Sequence, residues 1–271
     1  MRCVRARTPL LICAVVFAAA PAAGILLADP VWRYAEVLFY GLLLASTVVS
    51  GLSAPRWALP AAVGLLLVDA VRTLPAEPGA GGQAWLMVAP ADSVDTPSEF
   101  ESALALCWAP LAAVILLLAV IWRRDGGPRR RGVLAAGSAV MVIGAFAIMR
   151  IAQVALAVRS GQLDAVIAVV LAVLPGLALA LTALALAAVL ARHGRWLAAA
   201  GAALLAIAAV AHLDASIGAV PLPLDTHRVA LSSWSAFEPT LTMPQPFPAL
   251  TSLVELAAFA LLVVGLTRAR P

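Results

Sequence analysis

The sequence predicts an all-α, polytopic transmembrane helix bundle of about eight helices, and three observations carry that prediction. Hydrophobic residues make up 63% of the 271-residue chain and charged residues only 12%, against about 25% charged in an ordinary soluble domain. The apolar residues fall in long, unalternating runs dominated by Ala and Leu, which suit membrane helices and not barrel strands. The third observation is where arginine stands. There is no lysine, so all 18 basic residues are Arg. Arg2, Arg5, Arg7, Arg56, Arg123, Arg124, Arg129, Arg130, Arg131, Arg192, Arg195, Arg268 and Arg270 flank ends of apolar runs that would share one compartment. Arg33, Arg72, Arg150, Arg159 and Arg228 fall on or near the other side.

A membrane-spanning helix takes about 20 mostly apolar residues. The first candidate, 9–28, follows the basic stretch Met1 to Arg7 and carries Ala20-Pro21-Ala22, which resembles a signal-peptide cleavage site. The apolar run continues through Gly24-Ile25-Leu26-Leu27-Ala28, long enough to span, so the segment is expected to be retained as a helix. The second, 35–53, begins beside Glu36 and stops before Arg56; the third, 57–74, opens on Arg56-Trp57. The fourth, 102–122, closes on Trp122-Arg123-Arg124, and the fifth, 133–156, follows Arg129-Arg130-Arg131. The sixth, 165–190, ends at Arg192; the seventh, 196–213, starts after Arg195; the eighth, 250–267, ends at Arg268 and Arg270. Short Arg-rich loops are held on the cytoplasmic side, so the expected threading places both termini in the cytoplasm of a plasma-membrane protein. Tryptophan agrees. Trp57, Trp122 and Trp196 mark expected inner ends, and Trp32, Trp85, Trp108 and Trp234 lie near or beyond the outer ones, as two aromatic belts would.

The layout suggests two four-helix halves, 1–122 and 133–271, joined by a linker at 123–132 within a single integral membrane domain. Residues 56–76 align without gaps on 195–215, including Arg56/Arg195 and Trp57/Trp196. An even number of helices per half would make this a parallel repeat.

Several function classes fall away. The pI near 9.6 reflects juxtamembrane arginines, whose usual partners are anionic headgroups of the lipid bilayer. Without a basic groove bearing interleaved aromatics, nucleic acid is not expected as a partner. The longest connection on the Arg side, Arg123 to Arg131, is too short to form a soluble domain, though it offers a docking point for a protein partner. No GxxxxGK[ST] loop, HExxH, GxSxG or CxxCH occurs, so neither catalytic residues nor a cofactor is expected. Cys3, Cys13 and Cys107 are an odd set at different depths, expected as free thiols. The acidic segment Asp92-Ser93-Val94-Asp95 with Glu99 and Glu101 lacks calcium-loop spacing and is expected as a solvated loop, so no metal site is expected. Val229 to Phe237 is expected as a short interfacial helix.

Ionisable groups inside spans are the informative ones, since each costs about 2.5–3.5 kcal/mol at the bilayer centre. They gather in the halves of the helices away from the arginine-rich end: Asp69 and Arg72, Arg150 and Gln153, His212 and Glu255. Asp69 with Arg72, and Arg150 with Gln153, are three residues apart and share a helix face. Arg150 is expected to neutralise Asp69 or Glu255 if the third, fifth and eighth helices are neighbours. The six residues are the expected ligand-binding set of a permease-like protein that takes a small polar or amphiphilic ligand from the extracytoplasmic side. A non-catalytic membrane subunit and an intramembrane enzyme acting on a lipid-linked substrate are the alternatives. Pro21, Pro110 and Pro175 interrupt spans and each frees a backbone carbonyl, a place for a kink or a cavity lining.

Overall fold

The computed structural model describes residues 2–27, 33–49, 57–74, 96–125, 130–157, 163–220 and 246–267. Within these residues all regular structure is helical. The eight helices are α1 (Arg2–Leu27), α2 (Arg33–Val49), α3 (Ala58–Arg72), α4 (Thr96–Asp125), α5 (Arg130–Ala157), α6 (Leu163–Arg192), α7 (Trp196–Ala219) and α8 (Pro246–Thr267). Five stretches are long and apolar enough to cross a membrane: Phe100–Arg124, Ala136–Leu156, Leu163–Arg192, Trp196–Ile217 and Ala249–Thr267. Apolar stretches in α1 (Ile12–Gly24) and α2 (Tyr34–Val49) are shorter, and α3 has 15 residues. The protein is a membrane-embedded helix bundle.

Helix ends follow local chemistry. Proline stands in the first turn of α3 (Pro60), α4 (Pro97) and α8 (Pro246 and Pro248), where its missing N–H has no intrahelical acceptor to lose. Between α6 and α7 the chain reverses in three residues. Arg195 N–H donates to the Leu190 carbonyl at 3.1 Å, Gly194 N–H to that of Ala191 at 3.1 Å, and Gly194 sits at φ 70°. That is a Schellman ending, whose left-handed position favours glycine.

Two helices run further than the apolar runs indicate. Helix α4 starts at Thr96 and not 102, so Glu99 and Glu101 belong to its opening turns and not to a loop. The pattern Thr96-Pro97-Ser98-Glu99 carries the residue types of a capping box, a signal that hydrophobicity misses. Helix α7 continues past 213 to Ala219 and brings Asp214 onto its surface. The expected linker shortens in turn, because 123–125 and 130–132 are helical. Asp92, Asp95 and the expected interfacial helix over 229–237 lie outside the described residues.

The helices close into a ring. Helix α6 packs most extensively against α7 and α4, α7 against α8, α8 against α1, α1 against α2, α2 against α3, and α3 against α4. Smaller contacts between α2 and α8, and between α4 and α7, cross it. Helix α5 stands outside, resting on α6 with a slight touch on α7. Exposure reflects this placement: Met141 (74%), Val142 (69%), Ile148 (69%) and Leu156 (72%) of α5 face away from the protein, which suits lipid contact.

Small residues bring the helices close. An added Cβ at Gly201 of α7 would lie 2.6 Å from the Ala258 carbonyl oxygen and 2.8 Å from the Leu262 nitrogen of α8. Reciprocally, one at Gly265 of α8 would lie 2.8 Å from the Ala198 Cα of α7. Lipid tails are as apolar as these side chains, so association rests on van der Waals fit, which close backbone approach supplies. Helix α6 runs unbroken through Pro175 and Gly176, both buried, with Gly176 seated against Leu213. Pro110 likewise lies inside a continuous α4.

Candidate functional site

Six helices of the bundle contribute polar side chains near one end, the end away from Trp57, Trp122 and Trp196. Those three tryptophans are 50%, 47% and 71% exposed at the arginine-rich end, as rings at a headgroup level would be. At the other end, at a rise of 1.5 Å per residue, Tyr40, Asp69, Trp108, His212 and Glu255 lie about 5–12 Å inside their helix or span limits.

Not every polar group there belongs to a site. The buried hydroxyls turn back on their own helices. Ser46 Oγ donates to the Leu43 carbonyl at 2.7 Å, Thr47 Oγ1 to Leu44 at 2.7 Å, and Ser216 Oγ to Leu213 at 2.9 Å. The Cys107 thiol does the same to Ala103 at 3.3 Å. These groups satisfy themselves locally, as hydroxyls in membrane helices commonly do.

The ionisable groups reach across helices instead. Asp69 of α3 accepts a hydrogen bond from the Trp108 indole Nε1 of α4, at 2.7 Å to Oδ1. Glu255 of α8 pairs through Oε2 with His212 Nε2 of α7 at 3.1 Å. The His212 and Glu255 side chains keep 22% and 17% exposure. Tyr40 of α2 is 3% exposed. Its ring stands edge-on to Phe39 at 5.1 Å and to Phe259 of α8 at 6.2 Å.

The six sequence-predicted residues therefore separate. His212 and Glu255 meet between α7 and α8, and Asp69 bonds to Trp108 between α3 and α4. Arg72 is exposed at the end of α3, where a cation suits the helix dipole and its charge still reaches Asp69. Arg150 and Gln153 lie elsewhere, on α5. The expectation that Arg150 neutralises Asp69 or Glu255 required α5 beside α3 and α8, and α5 packs on α6 and α7 instead. Arg150 pairs with Asp214 of α7 and donates from Nη1 to Gln153 Oε1 at 3.0 Å. Its Nε is buried without a partner among the described residues.

Three contributors escaped sequence reasoning. Trp108 reads as a belt residue, yet it turns inward to Asp69. Tyr40 lies in an uncharged stretch with no polar neighbour in sequence. Asp214 falls one residue past the apolar run, although Ile217 and the stop at Pro221 argue for a longer helix.

Among the described residues no three His, Cys, Asp or Glu side chains are grouped to hold a metal ion. Chemically, the pairs at the α3–α4 and α7–α8 interfaces offer two carboxylates, an imidazole and an indole. Such a set can bind and orient a polar solute or exchange a proton. No protein-family model, no curated protein and no solved structure matches this chain.

Proposed function

We propose that the protein is a permease-like component of the plasma membrane that binds a small polar or amphiphilic ligand from the extracytoplasmic side. One observation carries this reading: ionisable side chains within the apolar helices reach across to neighbouring helices, Asp69 to Trp108 and Glu255 to His212, toward the end of the bundle away from the arginines. Carboxylates held within apolar helices are costly to place there, which makes them candidate ligand-binding groups. The arginine-rich end faces the cytoplasm on this reading, which turns the carboxylate end outward. The binding set is accordingly Asp69, His212 and Glu255 with Tyr40 and Trp108. Arg72 stands at the rim, and Arg150 and Gln153 lie outside it.

A cysteine placed at Glu255 in a chain with Cys3, Cys13 and Cys107 replaced by Ser tests this. In intact cells a membrane-impermeant maleimide is expected to label that cysteine, and to leave one placed at Ile148 on the lipid side of α5 unmodified. An unreactive position 255 would remove the outward-open site.

A second reading, a non-catalytic subunit of a larger complex, draws on α5. Its exposed Met141, Ile148 and Leu156 are open to a partner helix as well as to lipid. A stoichiometric protein retained through purification in mild detergent would favour the subunit.

A further inference from the structure

We propose that a lipid-facing groove along α6, between α4 and α5, seats an anionic phospholipid of the leaflet at the arginine-rich end, with its phosphate at Arg123 and Arg192. This surface is separate from the extracytoplasmic site.

The groove follows from which helices touch. Helix α6 packs on α4, α7 and α5. Helices α4 and α7 touch one another, and so do α5 and α7, whereas α4 and α5 make no comparable contact. Around α6 the order is therefore α4, α7, α5, and the arc from α5 back to α4 stays open to lipid.

Side-chain exposure marks a strip of α6 that no neighbour covers. Leu163, Ile167, Val170 and Leu174 are exposed, and spacings of three and four residues put them on one face. Continued at that spacing, the strip meets no buried residue, passes the partly exposed Ala185 and Ala188, and ends at exposed Arg192. The small side chains of its second half leave room for an acyl chain.

Charge identifies the headgroup. Four residues join α4 to α5 and five join α5 to α6, so α5 runs out and α6 returns. The carboxy-terminal ends of α4 and α6 accordingly lie at one end of the bundle. Arg123 and Arg192 are both exposed there, on helices that pack against each other. The exposed Trp122 sets the headgroup level one residue before Arg123. Residues 119–132 and 188–196 hold seven arginines and one carboxylate, Asp125. Phosphate is the complementary group, because the guanidinium fork matches two phosphate oxygens. Basic residues at the end of a cleft between membrane helices recognise anionic headgroups. A free anion would use the arginines and leave the apolar strip unused; a phospholipid engages both. Arginine at a helix carboxy terminus also suits the helix dipole, a role that needs no lipid and that the test separates.

The test is native mass spectrometry of the full-length protein in neutral detergent, titrated with dioleoyl phosphatidylglycerol or dioleoyl phosphatidylcholine. Phosphatidylglycerol is expected to bind roughly tenfold more tightly or better, since each arginine beside an anionic headgroup adds a several-fold preference. Arg123→Gln combined with Arg192→Gln is expected to bring it to the level of phosphatidylcholine. Arg72→Gln, at the opposite end of the bundle, should leave the preference intact. Ala188→Trp fills the strip and keeps both arginines, and it too is expected to weaken phosphatidylglycerol several-fold. Inorganic phosphate is expected not to displace the lipid. Equal affinity for the two lipids, an unchanged preference in the double variant, or full retention by Ala188→Trp overturns the proposal. Displacement by inorganic phosphate overturns it as well, leaving an anion site without a lipid. So does a protein that co-purifies through Arg123 and Arg192 in place of lipid. If a substituted chain fails to fold, the lipid preference of the unsubstituted protein and its indifference to phosphate decide.

Discussion

Polar residues in this bundle meet their needs in two ways, and the difference separates scaffold from site. Ser46, Thr47 and Ser216 bond to carbonyls three residues back on their own helices. Asp69 and Glu255 depend on partners 39 and 43 residues away in sequence. A hydrogen bond to an ionised group contributes about 1.5–3 kcal/mol. Trp108→Phe is therefore expected to destabilise the protein by about that amount in denaturant unfolding from mixed micelles. Trp57→Phe, at an exposed ring, is expected to stay within about 0.5 kcal/mol. In a double-mutant cycle most of the Trp108 effect should vanish once Asp69 is Asn; an undiminished effect would assign it to packing. Asp69, His212 and Glu255 were legible as candidates because charge inside an apolar run is conspicuous. Their partners were not, since partner choice depends on how each helix is rotated about its axis.

Between elements, fit is set by the smallest side chains. The α7–α8 contact is held close at Gly201 near one end of α7 and by Gly265 opposite Ala198. The same antiparallel register delivers His212 to Glu255 further along. Gly201→Ala would drive its methyl into the backbone of α8, and an overpacked contact of this kind costs roughly 1–3 kcal/mol. Gly137→Ala and Gly144→Ala on α5, where nothing lies within 4 Å, are expected to change stability by less than about 0.5 kcal/mol. Thermal unfolding of the three variants side by side checks this; equal losses would remove the α7–α8 contact from its special role. Composition did show that Ala and Gly dominate the later helices. It did not show which glycine faces a neighbour and which faces lipid, because both kinds lie in equally apolar sequence.

At the scale of the whole chain, α5 is the element that redistributes the site. Arg150 travels with it to the periphery and finds Asp214 there, away from Asp69 and Glu255. The two proposed halves also meet their surroundings differently: α8 packs on α1, while α4 packs on α6. Polarity across the membrane is testable as a whole-molecule property. A reporter active only in the cytoplasm, inserted next to Pro128, is expected to be active, and one fused after Pro78 inactive. The reverse pattern would turn the carboxylate site toward the cell interior and overturn uptake from outside.

The order of residues alone determined that this chain forms apolar helices, about how many, and which end of the bundle gathers arginine and which gathers carboxylates. Those properties follow from hydropathy and spacing, which are additive along a chain. Only the tertiary structure decided that seven helices close on themselves with α5 left out, that Trp108 turns inward, and that Arg150 serves Asp214 and not Asp69. Helix neighbours and azimuths are selected by close packing among nearly interchangeable Ala, Leu and Val surfaces. The energy differences that select them lie in shape, which no single residue announces.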